Sequence, residues 1–211
     1  MIEISRIIEA YAAVARPIIL NFFVPNSCIA SSRITVEVLS RFGVSAEAIA
    51  TKFVVLLPEK KLAYVSGLDP QERADAKKKS QTWIDLLPDG DDSMNVHVIV
   101  LAGDRWFLDA SFDQVRGPLK ITLEPKVFVI PLDGQTIEDK YSVDMDLKCA
   151  LDDGTPIEIR YVTHCGDAFK RTPAWETDHL RVPIHLICTA MKAALDERRK
   201  PTKEGHQRWQ M

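Results

Sequence analysis

A cysteine, a histidine and an aspartate are the side chains of this sequence best suited to nucleophilic chemistry. Cys28 directly follows Ser27, a residue type that often caps helices, at a point where a helix is predicted to begin. A thiol there faces unpaired backbone N–H groups and the positive end of the helix dipole, and both favour the nucleophilic thiolate. Because inert buried cysteines are common, Cys28 alone does not distinguish catalysis from packing.

His97 and Asp109 each interrupt an otherwise apolar run of a predicted β-hairpin. An unpaired imidazole is costly to bury, so His97 is expected to have a polar partner. A three-residue loop at 102–104 would pair Leu101 with Arg105 and place His97 directly opposite Asp109. Directly opposed residues share one face of the sheet, with Cβ atoms about 4.5–5.5 Å apart. The aspartate would then hold one ring nitrogen while the other deprotonates the thiol; the alternative is a pair that only stabilises the hairpin.

The spacing of apolar residues predicts the elements that position these side chains. A first amphipathic helix is predicted over residues 3–15 and is ended by Pro17, and a second is closed by Gly43. Strands are predicted at 46–57, 96–101, 105–110, 119–123, 126–130, 143–150 and 156–162, a mostly helical polar stretch at 59–82, and a closing helix at 175–199 that Pro183 can break or kink. This order predicts an α+β fold, with a nucleophile-bearing helix packed on an antiparallel β-sheet.

Other groups of polar residues are weaker candidates for a catalytic or metal site. His164 is a reserve base for Cys28, although it cannot easily act on its neighbour Cys165, since adjacent strand residues point to opposite faces. His179 and His185 are six residues apart, which suits neither a helical nor a strand metal pair. An acidic loop contains Asp89, Asp91 and Asp92 but lacks the liganding pattern of an EF-hand. With no phosphate-binding or dinucleotide-binding motif present, we expect no metal and no cofactor.

Composition excludes several classes of partner. The net charge of −3 gives no reason to expect binding to nucleic acid or to an anionic membrane surface. No apolar run reaches the roughly 18–20 residues that span a bilayer, and the N-terminus does not resemble a secretory signal. The four cysteines show no paired spacing, so free thiols and a cytoplasmic location are expected. The sequence does not indicate an oligomeric state.

The order of the three chemical residues resembles that of transglutaminase-like cysteine enzymes. In these enzymes a cysteine starts a helix that ends near a glycine and leads into a strand, followed by a strand histidine and an aspartate after an aromatic residue. The matching segments are SCIA at 27–30, VLSRFGV at 38–44, AEA at 46–48, HVIVL at 97–101 and RWFLD at 105–109. Arylamine N-acetyltransferases share this core, but their Arg-Gly-Gly run is replaced here by Pro25, Asn26 and Ser27.

The resemblance implies a Cys28, His97 and Asp109 triad that forms a thioester acyl-enzyme. The substrate would be a small-molecule or peptide amide or thioester, and the acyl group would pass to an amine or to water, as in an acyltransferase, hydrolase or thiol protease. Candidates for oxyanion or substrate binding are the backbone N–H of Cys28 and the side chains of Asn26, Asn21 and Trp106. The alternative is a non-catalytic binding module that keeps the fold, with His97 and Asp109 as a structural pair.

The resemblance covers about residues 20–115 and sets the expected domain organisation. A single domain is expected over residues 1–200, with the transglutaminase-like core at about 20–115 and a C-terminal extension at about 116–200. Residues 201–211 have little to bury and are expected to form a flexible tail.

Overall fold

The structure, a computed structural model, describes residues 2–24, 27–67, 71, 83–84, 96–132, 144–151, 153–163, 166–176 and 178–197. The helices within these ranges are α1 (Ile4–Leu20), α2 (Cys28–Arg41), α3 (Arg116–Leu119), α4 (Pro173–Glu176) and α5 (Arg181–Glu197). The strands are β1 (Ala46–Leu57), β2 (Leu62–Ser66), β3 (Trp83–Ile84), β4 (His97–Ala102), β5 (Trp106–Asp109), β6 (Phe128–Pro131), β7 (Asp144–Ala150) and β8 (Pro156–Thr163). The helices pack on a curled, mainly antiparallel sheet, which is the α+β class that the sequence predicts.

Helix α1 continues past Pro17, which the sequence analysis wrongly places at its end. Proline removes one hydrogen bond from a helix interior and costs about 3 kcal/mol there. The apolar side of α1 nevertheless stays buried beyond the proline, since Ala15 and Ile19 are both fully buried. Tertiary packing on both sides of Pro17 therefore outweighs the local cost, and the helix ends at Leu20.

The second helix and the strand that follows it confirm the prediction. Helix α2 begins at Cys28, with Ser27 at its N-cap position, although the Ser27 side chain makes no capping hydrogen bond. Gly43 follows the helix with a φ of +77°, a left-handed conformation that glycine adopts without strain. Strand β1 then begins at Ala46 and ends at Leu57, as predicted.

Strand β1 organises the sheet because it pairs with three other strands. Its residues 46–51 pair with β4, residues 53–57 with β2 and residues 51–56 with β8, all antiparallel. Strands β5 and β6 extend the sheet beyond β4, and β7 pairs with β8. The strands that follow residue 115 therefore belong to the same sheet as those that carry His97 and Asp109.

The two faces of the sheet bury different side chains. The first, which we call the helix-covered face, packs small and aliphatic residues such as Ala50, Val98 and Val100 against α1, α2 and α5. The second, which we call the aromatic face, buries an apolar cluster whose aromatic members are Phe53, Tyr64, Phe107, Phe112 and Tyr161. Because strand residues alternate between faces, His97 and Asp109 share the odd-numbered positions of the aromatic face.

Several predicted elements differ from the structure. Residues 120–123 form no strand; Leu119 ends α3, and the buried side chains of Leu119 and Ile121 fill the core without ladder pairing. Within the stretch predicted as mostly helical, β2 forms because its residues 62–66 pair with β1. The closing helix begins at Arg181 rather than near 175, after the separate short helix α4, so Pro183 lies in its first turn, where proline is tolerated.

Some predictions lie outside the described residues. These concern Pro25 and Asn26, the acidic loop that contains Asp89, Asp91 and Asp92, His164 and Cys165, and the tail at 201–211. Among the helices that are described, none is long and apolar enough to cross a membrane.

Candidate active site

The β4–β5 hairpin brings His97 and Asp109 into contact, but in a register two residues away from the predicted one. Ala102 pairs with Trp106 and Val100 with Leu108, so the loop is residues 103–105. A shift of two residues preserves the face of every side chain, and it makes His97 a diagonal rather than a direct neighbour of Asp109. Nε2 of His97 lies 2.6 Å from Oδ2 of Asp109, and both side chains are fully buried.

Asp109 is held by hydrogen bonds to both carboxylate oxygens. Oδ1 accepts from the backbone N–H of Ser111 at 2.9 Å and from its hydroxyl at 3.2 Å. Oδ2 accepts from the hydroxyl of Tyr161 at 2.9 Å in addition to its contact with His97. Burial raises the pKa of Asp109, but the charge and hydrogen bond of His97, with the bonds from Ser111 and Tyr161, outweigh it and lower the pKa below its ordinary value. The carboxylate is therefore fixed in place and ionised.

Helix α2 runs along β4 and delivers Cys28 to the end of that strand. Ser32 donates to the carbonyl oxygen of Val98 at 2.8 Å, and one turn earlier the thiol of Cys28 donates to the carbonyl oxygen of Val96 at 3.5 Å. Four residues of a helix rise about 6 Å and two residues of a strand rise about 6.6 Å, so successive turns of α2 reach carbonyl groups that are two residues apart along the strand. Because His97 is the first residue of β4, the N-terminus of α2 meets it there. Cys28 is 9% exposed.

Asp109 and Cys28 both raise the pKa of His97. Burial lowers this pKa, whereas the charge and hydrogen bond of Asp109, together with the hydrogen bond and charge of Cys28, raise it; the result is about 10. The Cys28 and Asp109 side chains therefore act on one imidazole.

Gln114 is a further polar partner of His97. Its side-chain nitrogen Nε2 lies 2.7 Å from Nδ1 of His97, and the residue is 8% exposed. Gln114 belongs to the 3-10 turn Phe112–Val115, which directly follows β5. Both ring nitrogens of His97 are thus occupied, one by a carboxylate and one by an amide.

Aromatic side chains hold the imidazole from the side. The ring of Phe53 stacks on His97 with centroids 4.3 Å apart, and the ring of Tyr161 stacks on Phe53 at 4.9 Å. Tyr64 meets Phe53 edge-on at 5.8 Å. These contacts exclude solvent from one side of the ring and leave it little freedom to rotate.

A buried ion pair connects the turn that carries Gln114 to helix α2. Asp113 lies 2.6 Å from Nη2 and 2.7 Å from Nε of Arg16 on α1, and the two side chains are 3% and 0% exposed. Nη1 of Arg16 donates to Ser31 at 3.3 Å, and Ser31 contacts Ser27, the residue before Cys28, at 3.4 Å. Burial raises the pKa of Asp113, and the bonds to Arg16 offset this only in part.

Two of the other predicted site residues, Asn21 and Trp106, are not brought to Cys28, His97 and Asp109. Asn21 is the exposed C-cap of α1, and among the described residues its side chain has no hydrogen bond to Cys28, His97 or Asp109. Trp106 lies at the opposite end of the β4–β5 hairpin and packs against the cluster of the helix-covered face. Asn26 and the reserve base His164 lie outside the described residues.

Sequence reasoning missed four side chains of this site: Arg16, Asp113, Gln114 and Tyr161. Arg16 lies just beyond the helix predicted over residues 3–15, so its place on the buried side of α1 could be recognised only once the helix was seen to continue past Pro17. Tyr161 alternates with Ile157 and Ile159, and a buried tyrosine hydroxyl needs a partner. Nothing in the sequence marked the polar residues 113 and 114 as part of the site, since their partners lie far away in the sequence.

Within the described ranges, no group of three or more His, Cys, Asp or Glu side chains is arranged to hold a metal ion. The chemistry that this site can perform from its own residues is proton transfer between a thiol and an imidazole that a carboxylate orients.

No family model and no curated protein matches this chain. A solved structure described only as a crystal structure from genomics aligns with most of it. The two chains are 18% identical, with 97% of this chain and 84% of the other covered at a TM-score of 0.44. A similarity this low carries no functional argument.

Proposed function

We propose that this chain is a cysteine-nucleophile enzyme of the transglutaminase-like type. The observation that carries the proposal is the position of His97, which is fully buried, bonded through Nε2 to Asp109 and influenced by the thiol at the start of α2. An ionisable histidine buried between a carboxylate and a thiol is an expensive arrangement, and pKa values shifted in this way concentrate at functional sites.

The proposed reaction begins when the Cys28 proton moves to Nδ1 of His97 and leaves a thiolate. The sulfur forms a bond to the carbonyl carbon of an amide or thioester, and the carbonyl electrons move onto oxygen. The tetrahedral intermediate collapses as the bond to the leaving nitrogen or sulfur breaks, and His97 returns a proton to that leaving group. An amine or water, deprotonated by His97, then attacks the thioester and releases the acyl group from Cys28.

The first turn of α2 supports this scheme. Within the part of the chain that the structure describes, the first N–H group of α2 with an upstream partner is that of Ser31, which donates to the carbonyl oxygen of Ser27, so the N–H of Cys28 precedes the helical bonds and the positive end of the helix dipole lies at the sulfur. The N–H of Cys28 is our candidate donor to the oxyanion. We include a small-molecule or peptide substrate and a cytoplasmic location in this proposal; three free cysteines, Cys28, Cys149 and Cys188, agree with a reducing compartment.

One observation favours a second candidate function, a non-catalytic binding module. Gln114 occupies Nδ1 at 2.7 Å, so the His97 and Asp109 pair is a closed polar network with no vacant ring nitrogen. A fully satisfied buried network also serves to specify a core.

Alkylation of the thiols separates the two functions. Iodoacetamide at pH 6 should label Cys28 faster than Cys149, a more exposed thiol whose pKa is raised by the burial that it does have. His97→Ala should slow the labelling of Cys28 by about 100-fold or more. Incubation with an activated ester should give an acyl adduct on Cys28 by mass spectrometry, and Cys28→Ser should abolish it. The enzyme proposal fails if Cys28 labels no faster than Cys149 and His97→Ala leaves its rate unchanged.

A further inference from the structure

The contact between Gln114 and His97 depends on which nitrogen of the ring carries hydrogen. The amide nitrogen of Gln114 can only donate, and it lies 2.7 Å from Nδ1. It therefore suits a neutral imidazole that has its hydrogen on Nε2, directed at Asp109. Protonation adds a hydrogen to Nδ1, and two donors would then face each other.

The same amide has a second end that suits the protonated ring. Its oxygen, Oε1, accepts hydrogen bonds, and it exchanges places with the nitrogen when the amide makes a half-turn about its last carbon–carbon bond. The turn requires no backbone movement and changes the occupied volume little. Gln114 is fixed at its base, since its backbone N–H donates to the carbonyl oxygen of Ser111 at 3.0 Å and its neighbour Asp113 is bonded to Arg16.

The positions of the two other protons fit the form of the pair in which the imidazole and the thiol are both uncharged, before proton transfer. With Nδ1 taken by Gln114, the thiol of Cys28 donates instead to the carbonyl oxygen of Val96. When the thiol proton moves to Nδ1, the sulfur keeps the electron pair, the other hydrogen stays bonded to Nε2 and directed at Asp109, and Nδ1 becomes a donor that needs an acceptor.

We propose that Gln114 is a positioning residue that bonds Nδ1 of His97 in both protonation states, donating through its nitrogen to the neutral ring and accepting through its oxygen from the imidazolium. The catalytic consequence rests on the proposed function, since it keeps the ring aligned with Cys28 throughout proton transfer. The two-state bonding itself depends only on His97 and Gln114.

Several charged or titratable groups surround this ring and must be held constant in a test. They are Asp109 on β5, Cys28 on α2, Tyr161 on β8, Tyr64 on β2, and the Arg16 and Asp113 pair. Substitutions at Gln114 leave all of them in place.

The test is a pH titration of His97 by ¹⁵N NMR in the full chain, with Gln114→Leu as the main variant. A bond to a charged group is about twice as strong as a neutral one, so if Gln114 serves both states its loss should lower the His97 pKa, by about half a unit to one unit. Gln114→Met serves the same purpose if the leucine variant does not fold. Gln114→Glu, which can only accept and adds a negative charge, should raise the pKa by about 1–3 units, whereas Gln71→Glu at an exposed position should not change it.

Each outcome of the titration decides the inference. If Gln114→Leu raises the His97 pKa or leaves it unchanged, the amide bonds only the neutral ring or neither form, and the inference is overturned. Neutral wild-type His97 with its hydrogen on Nδ1 would overturn it as well. Slow wild-type alkylation of Cys28 together with the expected pKa shifts would remove the enzyme proposal and leave the two-state bonding in place.

Discussion

The hydroxyl of Tyr161 donates to Oδ2 of Asp109 at 2.9 Å, the same oxygen that contacts Nε2 of His97. Tyr161 lies on β8, more than fifty residues beyond the aspartate, outside residues 20–115, on which the proposed transglutaminase-like core rests. The C-terminal strands thus contribute directly to the polar network of the candidate site.

Removing this hydroxyl should destabilise the protein. Tyr161→Phe keeps the ring that stacks on Phe53 but takes one bond from a buried carboxylate, and a bond to a charged group is worth about 1.5–3 kcal/mol. Urea unfolding should show a loss in that range. Tyr64→Phe is the matched control: its hydroxyl has no hydrogen bond among the described residues, so the change should be neutral or stabilising. Equal losses in the two variants would contradict a specific role for the Tyr161 bond.

The stability of the protein should depend on pH through His97. In the unfolded chain His97 releases its proton near pH 6.5, and in the folded protein near pH 10. Between these values the folded state binds more protons than the unfolded state, so the free energy of unfolding should fall as pH rises, by at most about 1.4 kcal/mol per pH unit. Below pH 6.5 the contribution is fully present.

His97→Gln provides the comparison for this pH dependence. Urea unfolding of both proteins from pH 6 to pH 10 should show a difference in stability that shrinks as pH rises. Parallel curves would mean that His97 has no raised pKa in the folded protein.

Removing one member of the buried Arg16 and Asp113 pair should lower the free energy of unfolding more than replacing both residues by apolar ones. Arg16→Met leaves an uncompensated buried carboxylate, and losses of about 3–5 kcal/mol are typical of such changes. Arg16→Met combined with Asp113→Leu removes both charges and should recover most of that loss. A double variant as unstable as the single one would show that the pair itself, rather than the unpaired charge, accounts for the stability.

Gly67 should tolerate a side chain less well than another glycine of similar conformation. Its φ is +85°, and a Cβ there would lie 2.9 Å from the carbonyl oxygen of Thr51 on β1. Gly154 has a φ of +83° with no atom within 4 Å of such a Cβ. Both alanine variants should lose about 1–2 kcal/mol to left-handed strain, and Gly67→Ala should lose about 1–3 kcal/mol more to the clash. Thermal unfolding measures both, and equal losses would exclude the clash.

The sequence by itself determined the local features of this protein. Helix α2, strand β1 and the shared face of His97 and Asp109 follow from periodicities of 3.6 and 2 residues, which short stretches of chain express on their own. The prediction that His97 and Asp109 share a face was correct although the predicted register was wrong by two residues, because a shift by an even number leaves every side chain on its original side. Pro17, by contrast, was misjudged because the packing that keeps α1 helical past it comes from other elements.

Only the tertiary structure decided which distant side chains complete the site. Tyr161 reaches Asp109, Gln114 reaches His97 and Arg16 reaches Asp113 across separations of 52, 17 and 97 residues. No spacing rule connects such positions, since their proximity depends on how the sheet curls and how α1 packs against it. The sequence specified the carboxylate, the imidazole and the thiol, whereas the fold determined which hydrogen bonds hold them.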